Sequence, residues 1–251
     1  MAGNNGPKII TNGLVLCIDA ADRTSYSGSG TAWRDLSGNR ANFTLGFAGA
    51  GGAIPTFSNN AIKTSFIATT QNHAFCNNNN TTIRNLLYNN HTIEVACKIN
   101  SLTRGINLNA AYTTEVRTGI LIWPGFHSGL MLDNTNLLYV IWNGTTGEVN
   151  LVTNITSYVS KNIVINAVRI SNTMYIYING ALITSANITA PTNYGYVDLI
   201  AGCAKTTRVP SNNDFSFPSN VDFYNVKLYN IGFTQSQVTQ NFNAQRGRFS
   251  I

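Results

Sequence analysis

Short runs that alternate apolar and polar positions recur along the chain. Leu14, Leu16 and Ile18 alternate with Val15, Cys17 and Asp19, the pattern of a largely buried strand. Ile93, Val95 and Cys97 share one face of a run whose other face carries Glu94, Ala96 and Lys98. Residues 137–142 and 163–170 are apolar and β-branched. Met174, Tyr175, Ile176, Tyr177 and Ile178 lead into Asn179-Gly180, and a second strand-like run, Ala181, Leu182, Ile183 and Thr184, follows. Asn-Gly between two such runs predicts a hairpin, because a type I′ turn needs positive φ at both central residues. Residues 197–201 and 222–229 complete the strand set. One helix is predicted, over residues 234–244. Thr234 and Gln237 have the spacing of a capping box, and Val238 and Phe242, four apart, share a face that docks on the sheets.

Many short strands separated by turn signals predict an all-β sandwich or jelly roll. Composition agrees. About one residue in seven is Asn, which tolerates left-handed backbone and suits a turn-rich chain. Charged residues make up 10% of the 251, against roughly 25% in a typical soluble domain. The net charge is +6, but the sixteen Lys and Arg are scattered. Nucleic-acid binding, which wants a basic stripe, is not expected. No apolar run approaches the roughly 18 residues of a membrane span. The polar start, residues 1–7, lacks the pattern of a signal peptide, so synthesis in a cytoplasm is expected. The N-x-T triplets at Asn42, Asn80, Asn143, Asn154 and Asn187 follow from Asn and Thr abundance.

The two ends carry the most specific pattern. Asn12-Gly13 and the strand Leu14 to Asp19 precede Gly28-Ser29-Gly30, Trp33, Asp35 and Ser37-Gly38; the strand Val221 to Tyr229, the Thr234 helix and Arg246-Gly247-Arg248-Phe249 close the chain. Together they resemble the laminin-G-like, concanavalin A-like jelly-roll modules of bacteriophage virion proteins. The resemblance implies an antiparallel jelly-roll sandwich with one short C-terminal helix. Residues 1–12 would form an arm and residues 13–251 a single domain. It further implies a virion location, assembly with capsid or tail proteins, repetition as a homo-oligomer in the particle, and contact with host-surface glycans. Gln71 to Phe75, Ile231 and Gln237 stand where relatives carry charge, so no calcium site is carried over.

Candidate chemistry is sparse. A sandwich glycosidase needs two facing carboxylates, yet Glu94, Glu115 and Glu148 have no acid two positions away. Asp19, Asp22 and Asp35 read as turn caps. No nucleophile elbow or phosphate loop is present, and His127 reads as a turn residue. Calcium oxygens could come only from Asp133 with Asn134 and Asn136, or Asp214 with Asn212 and Asn213; no cofactor is expected. His73, His91 and His127 lack ligand spacing, and Cys17, Cys76, Cys97 and Cys203 read as buried thiols, with a disulfide as the alternative. Aromatic side chains at loops are the candidates for glycan or protein contact: Trp123, Trp142, Tyr194, Tyr196, Phe215 and Phe217. Core packing is the competing role, favoured for the two tryptophans. With the virion setting that the resemblance implies, the expectation is a non-enzymatic virion protein of head or tail. A free-standing carbohydrate-binding module and a glycan-cleaving enzyme are the alternatives.

Overall fold

The computed structural model describes residues 7–46, 53–67, 70–71, 74–77, 81–102, 117–123, 128–142, 147–189, 198–205 and 215–251. In chain order its strands are β1 Leu14–Asp19, β2 Ala32–Trp33, β3 Phe43–Leu45, β4 Thr56–Ser58, β5 Ala61–Thr64, β6 Phe66–Ile67, β7 Thr70–Gln71, β8 Ala74–Asn77, β9 His91–Ser101, β10 Arg117–Trp123, β11 Ser128–Asp133, β12 Asn136–Trp142, β13 Glu148–Asn154, β14 Asn162–Ile170, β15 Thr173–Ile178, β16 Ala181–Asn187, β17 Asp198–Ala201, β18 Cys203–Lys205, β19 Phe215–Pro218 and β20 Asn220–Tyr229. The helices are α1 Thr81–Arg84 and α2 Gln235–Gln245.

Two eight-stranded antiparallel sheets make a β-sandwich jelly roll. The first runs β16-β15-β14-β9-β20-β5-β4, with β1 also paired to β20; the second runs β13-β12-β11-β10-β17-β8-β3-β2. Their facing sides hold the main core. Leu16, Ile93, Val95, Val226 and Leu228 of the first sheet meet Leu121, Trp123, Leu130, Tyr139 and Leu199 of the second, all sealed from solvent. Each such apolar side chain contributes roughly 1.5–3 kcal/mol by leaving water. The terminal strands β1 and β20 pair directly, Leu16 with Leu228 and Ile18 with Val226, which joins the two ends of the chain.

The Asn179-Gly180 hairpin forms as expected, with φ of 53° and 79°. A side chain at residue 180 would meet the Phe242 ring at 3.0 Å, so α2 adds a second demand for glycine there. The helix starts as expected too: the Thr234 side chain accepts from Gln237 N–H while the Gln237 side chain accepts from Thr234 N–H. Val238 is buried and Phe242 packs beside Phe249 and Val164.

What α2 covers is not what alternation suggests. It lies on the outer face of the first sheet, over Glu94 and Lys227, which are adjacent in register and 0% and 3% exposed. Both oxygens of Glu94 are saturated. Oε1 accepts from Lys227 Nζ and Gln245 Nε2, each at 2.9 Å; Oε2 accepts from Asn166 at 3.0 Å and Asn241 at 3.1 Å. Asn241 also accepts from Ile10 N–H, and Gln240 donates to the Lys8 carbonyl, so α2 pins the segment ahead of β1.

Asp19, Asp22 and Asp35 cap turns as expected. Asp19 accepts from Ala21 N–H, Asp22 from Thr24 N–H, and Asp35 from Cys17 and Ser37 N–H. Cys17 and Cys97 are buried free thiols, Cys203 is buried as well, and burial pushes the Cys17 thiol up to about 11. The Cys76 side chain lies outside the described residues, as do His73 and His127.

Candidate functional site

The connection from β8 into β9 builds an uncharged pocket. Its apolar residues turn inward: Ile83, Leu86 and Leu87 are buried in the main core. Two polar anchors hold them. Trp123 donates its indole N–H to the Ile83 carbonyl at 3.0 Å, and Arg169 donates to the Leu87 carbonyl at 2.9 Å. With the apolar side anchored, the polar residues of the same turns face out. Thr81, Asn85, Asn89 and Asn90, joined by Asn230 after β20, line a pocket of about 360 Å³.

The asparagines of this pocket keep hydrogen-bonding groups to spare. The Asn85 side chain caps no helix, and neither it nor the Asn230 side chain is hydrogen-bonded among the described residues. Asn90 spends its oxygen on Ser171 N–H at 2.7 Å, which leaves its NH₂ group. Asn89 donates only a long bond, 3.4 Å, to the Asn85 carbonyl. The lining thus offers donors and acceptors in balance and carries no charged side chain. A sugar hydroxyl donates and accepts at once, so it matches side-chain amides. A phosphate or a metal ion would find no counter-charge there.

Four of the acidic residues are held elsewhere. Glu94 lies under α2. Glu148 pairs with Arg117 at 2.5 Å, Asp222 with Asn100 at 2.8 Å and Lys63 at 3.6 Å, and Asp19 with Arg248. Asp133, Asn134 and Asn136 form the tip of the β11–β12 hairpin. Among the described residues no three His, Cys, Asp or Glu cluster. Glu115 and residues 212–214 lie outside the described residues.

The aromatic candidates fare differently. Trp123 is 0% exposed in the main core, which removes it from the contact set. Phe215 and Phe217 sit on β19, paired with β18, where the polar sequence predicts a loop. Their side chains and that of Trp142, the last residue of β12, lie outside the described residues, as do Tyr194 and Tyr196. The amide pocket itself was not predicted. Composition cannot tell which asparagines converge.

No protein-family model and no curated protein matches the chain. Solved structures do. The binding domain of botulinum neurotoxin DC, in complex with rat synaptotagmin II, superposes with a TM-score of 0.68 at 13% identity, covering 94% of this chain and 52% of that one. The binding domain of serotype D gives 0.65 at 16% identity, covering 94% and 53%. A structure of botulinum neurotoxin type C, whose cell entry is dependent upon interaction with two ganglioside molecules, gives 0.67 at 14%, covering 93% and 52%. The chain thus spans about half the length of these structures, and at such identities the likeness establishes the fold, a β-sandwich jelly roll.

Proposed function

We propose that this jelly roll is a non-catalytic recognition module that binds neutral saccharides in the Asn85–Asn230 pocket. The observation that carries the reading is the lining: side-chain amides with uncommitted hydrogen-bonding groups, and no charge. The similar structures include toxin binding domains, one from a toxin whose cell entry depends on two ganglioside molecules, which supports recognition over catalysis. Glu94 supports it as well, since a carboxylate saturated beneath a helix is not free to act on a glycosidic bond. A multivalent form of the protein should bind neutral glycans on an array. Asn85→Ala combined with Asn230→Ala should weaken binding at least about tenfold, at roughly 1 kcal/mol per lost hydrogen bond. No binding at any valency would reject the module, and unchanged binding by the double variant would move the site elsewhere.

A phage particle is the setting in which we place the module, on the resemblance of its two terminal patterns. The pairing of β1 with β20 and the α2 cover give those patterns one common role, closing the sandwich. Repetition in a particle would turn weak single contacts into avid attachment. Mass spectrometry of purified particles tests this: fixed stoichiometry is expected, and absence of the chain would end it.

A further inference from the structure

A second cavity, of about 540 Å³, opens at the other end of the first sheet. The amide pocket lies where β9 begins and β20 ends; this one lies where β14 begins, at Asn162. The length of β14 separates them, roughly 26 Å at about 3.3 Å per residue. Its lining is chemically unlike the first. Lys161 is exposed and, among the described residues, forms no ion pair or hydrogen bond through its ammonium group. Asn179 has committed its oxygen to Val164 N–H at 2.9 Å and keeps only its two N–H donors. Asn162 is used on both sides, donating to the Phe249 carbonyl at 2.7 Å and accepting from Tyr224 O–H at 2.8 Å. The remaining side-chain polar groups are the hydroxyls of Ser157, Tyr158 and Ser250.

Uncommitted side-chain capacity here is therefore biased to donors, with one positive charge. These side chains favour a ligand rich in acceptors and carrying negative charge. Tyr158, half-buried against the core, supplies an apolar ring beside these donors, the arrangement that suits a hydroxylated ring more than a bare ion. From the Lys161 ammonium, the donor-only Asn179 amide and the Tyr158 ring, we infer a second binding site, independent of the amide pocket, for a carboxylate-bearing saccharide such as a uronic or sialic acid residue. Lys161 pairs with the ligand carboxylate, Asn179 donates to it or to a ring acceptor, and the three hydroxyls meet the sugar hydroxyls. Arg248, close by but held in its ion pair with Asp19, contributes no free charge.

Titration of the folded protein by two-dimensional NMR tests the site with four probes: methyl glucuronide, N-acetylneuraminic acid, methyl glucoside and acetate. Either acidic sugar, or both, should bind and shift the amides of residues 157–163 and 179; which one responds identifies the source of the carboxylate. Lys161→Met should weaken that binding at least about tenfold, the effect of losing a charge-assisted hydrogen bond, while Lys161→Arg retains most of it. Neither change should alter neutral-glycan binding, and Asn85→Ala with Asn230→Ala should leave acidic-sugar binding intact. The inference is overturned if methyl glucoside binds as well as the acidic sugars, if acetate alone reproduces their binding, if neither acidic sugar shifts these amides, or if Lys161→Met changes nothing in a variant that melts as the parent does.

Discussion

His91 and Glu94 stand three residues apart on β9, both fully buried, and are kept in opposite states of charge. His91 belongs to the inner side. Its Nδ1–H donates to the Asn89 carbonyl at 2.7 Å, because a carbonyl can only accept, so Nε2 must accept the hydroxyl proton of Tyr139. Burial pulls its pKa down to about 4, and the ring is neutral. Glu94 belongs to the outer side. Burial alone would raise its carboxyl, but the Lys227 ammonium and the hydrogen bonds from Lys227, Gln245 and Asn241 outweigh that and hold it below the usual carboxylate range. On the inner side His91 is held without its charge, while Arg169, its partner in register, stays charged by donating to the Leu87 and Ser171 carbonyls. On the outer side the helix brings amides that surround the Glu94 charge with donors. A buried group on β9 thus either gives up its charge or keeps it among donors.

Removing one partner from the polar layer is the severest way to break this contrast. Glu94→Ala leaves Lys227 buried without a counter-charge and should cost about 3–5 kcal/mol in urea denaturation. Replacing both, Glu94→Leu with Lys227→Met, should recover much of that loss. A cost below about 1 kcal/mol for the single change would mean that the pair does not hold the outer layer.

Acid should separate the two layers in order. The unfolded chain takes up the His91 proton near pH 6.5, the folded one only near 4. The unfolded state therefore binds more protons in that window. Stability present above 6.5 falls with pH by up to about 1.4 kcal/mol per unit, about 3 kcal/mol in all. Glu94, with its pKa lowered from 4.5, stabilises the fold above that value, and its contribution goes only as pH falls further, through the depressed folded value. Denaturation midpoints between pH 7 and 4 should slope in the parent and flatten in His91→Gln; an equal slope in both would assign the first phase to another group.

The mildest probe acts on the helix that makes the outer layer polar. Thr234→Ala removes the cap and should cost about 1 kcal/mol, with Thr234→Ser nearly neutral. Hydrogen exchange should accelerate in α2 and leave β9 and β14 unchanged. Equal acceleration in all three would show the two layers opening as one unit.

Much of this fold was legible because it rests on local rules. Alternation at Leu14, Leu16 and Ile18, positive φ at Asn179 and Gly180, and the Thr234 cap each depend on neighbours in the chain, and each appears as expected. Glu94 was legible only in part. Alternation assigned it to the outer side, but period two cannot say whether an outer position meets water or a helix arriving from the far end of the chain. Trp123 was better legible: core packing is the favoured reading of its sequence context, and it is buried. The amide pocket was harder still. Asn85 and Asn230 lie 145 positions apart, and nothing in either local pattern calls for the other.

By itself the sequence determined an all-β, turn-rich, weakly charged chain with one capped helix, because strand period, turn geometry and capping are set by residues close in the chain. Tertiary structure alone decided which polar residues are buried with partners and which are left free. That choice depends on contacts between distant segments: α2 over Glu94, Arg169 on the Leu87 carbonyl, Asn230 beside Asn85. Free and satisfied asparagines have the same composition, and only their neighbours in space tell them apart.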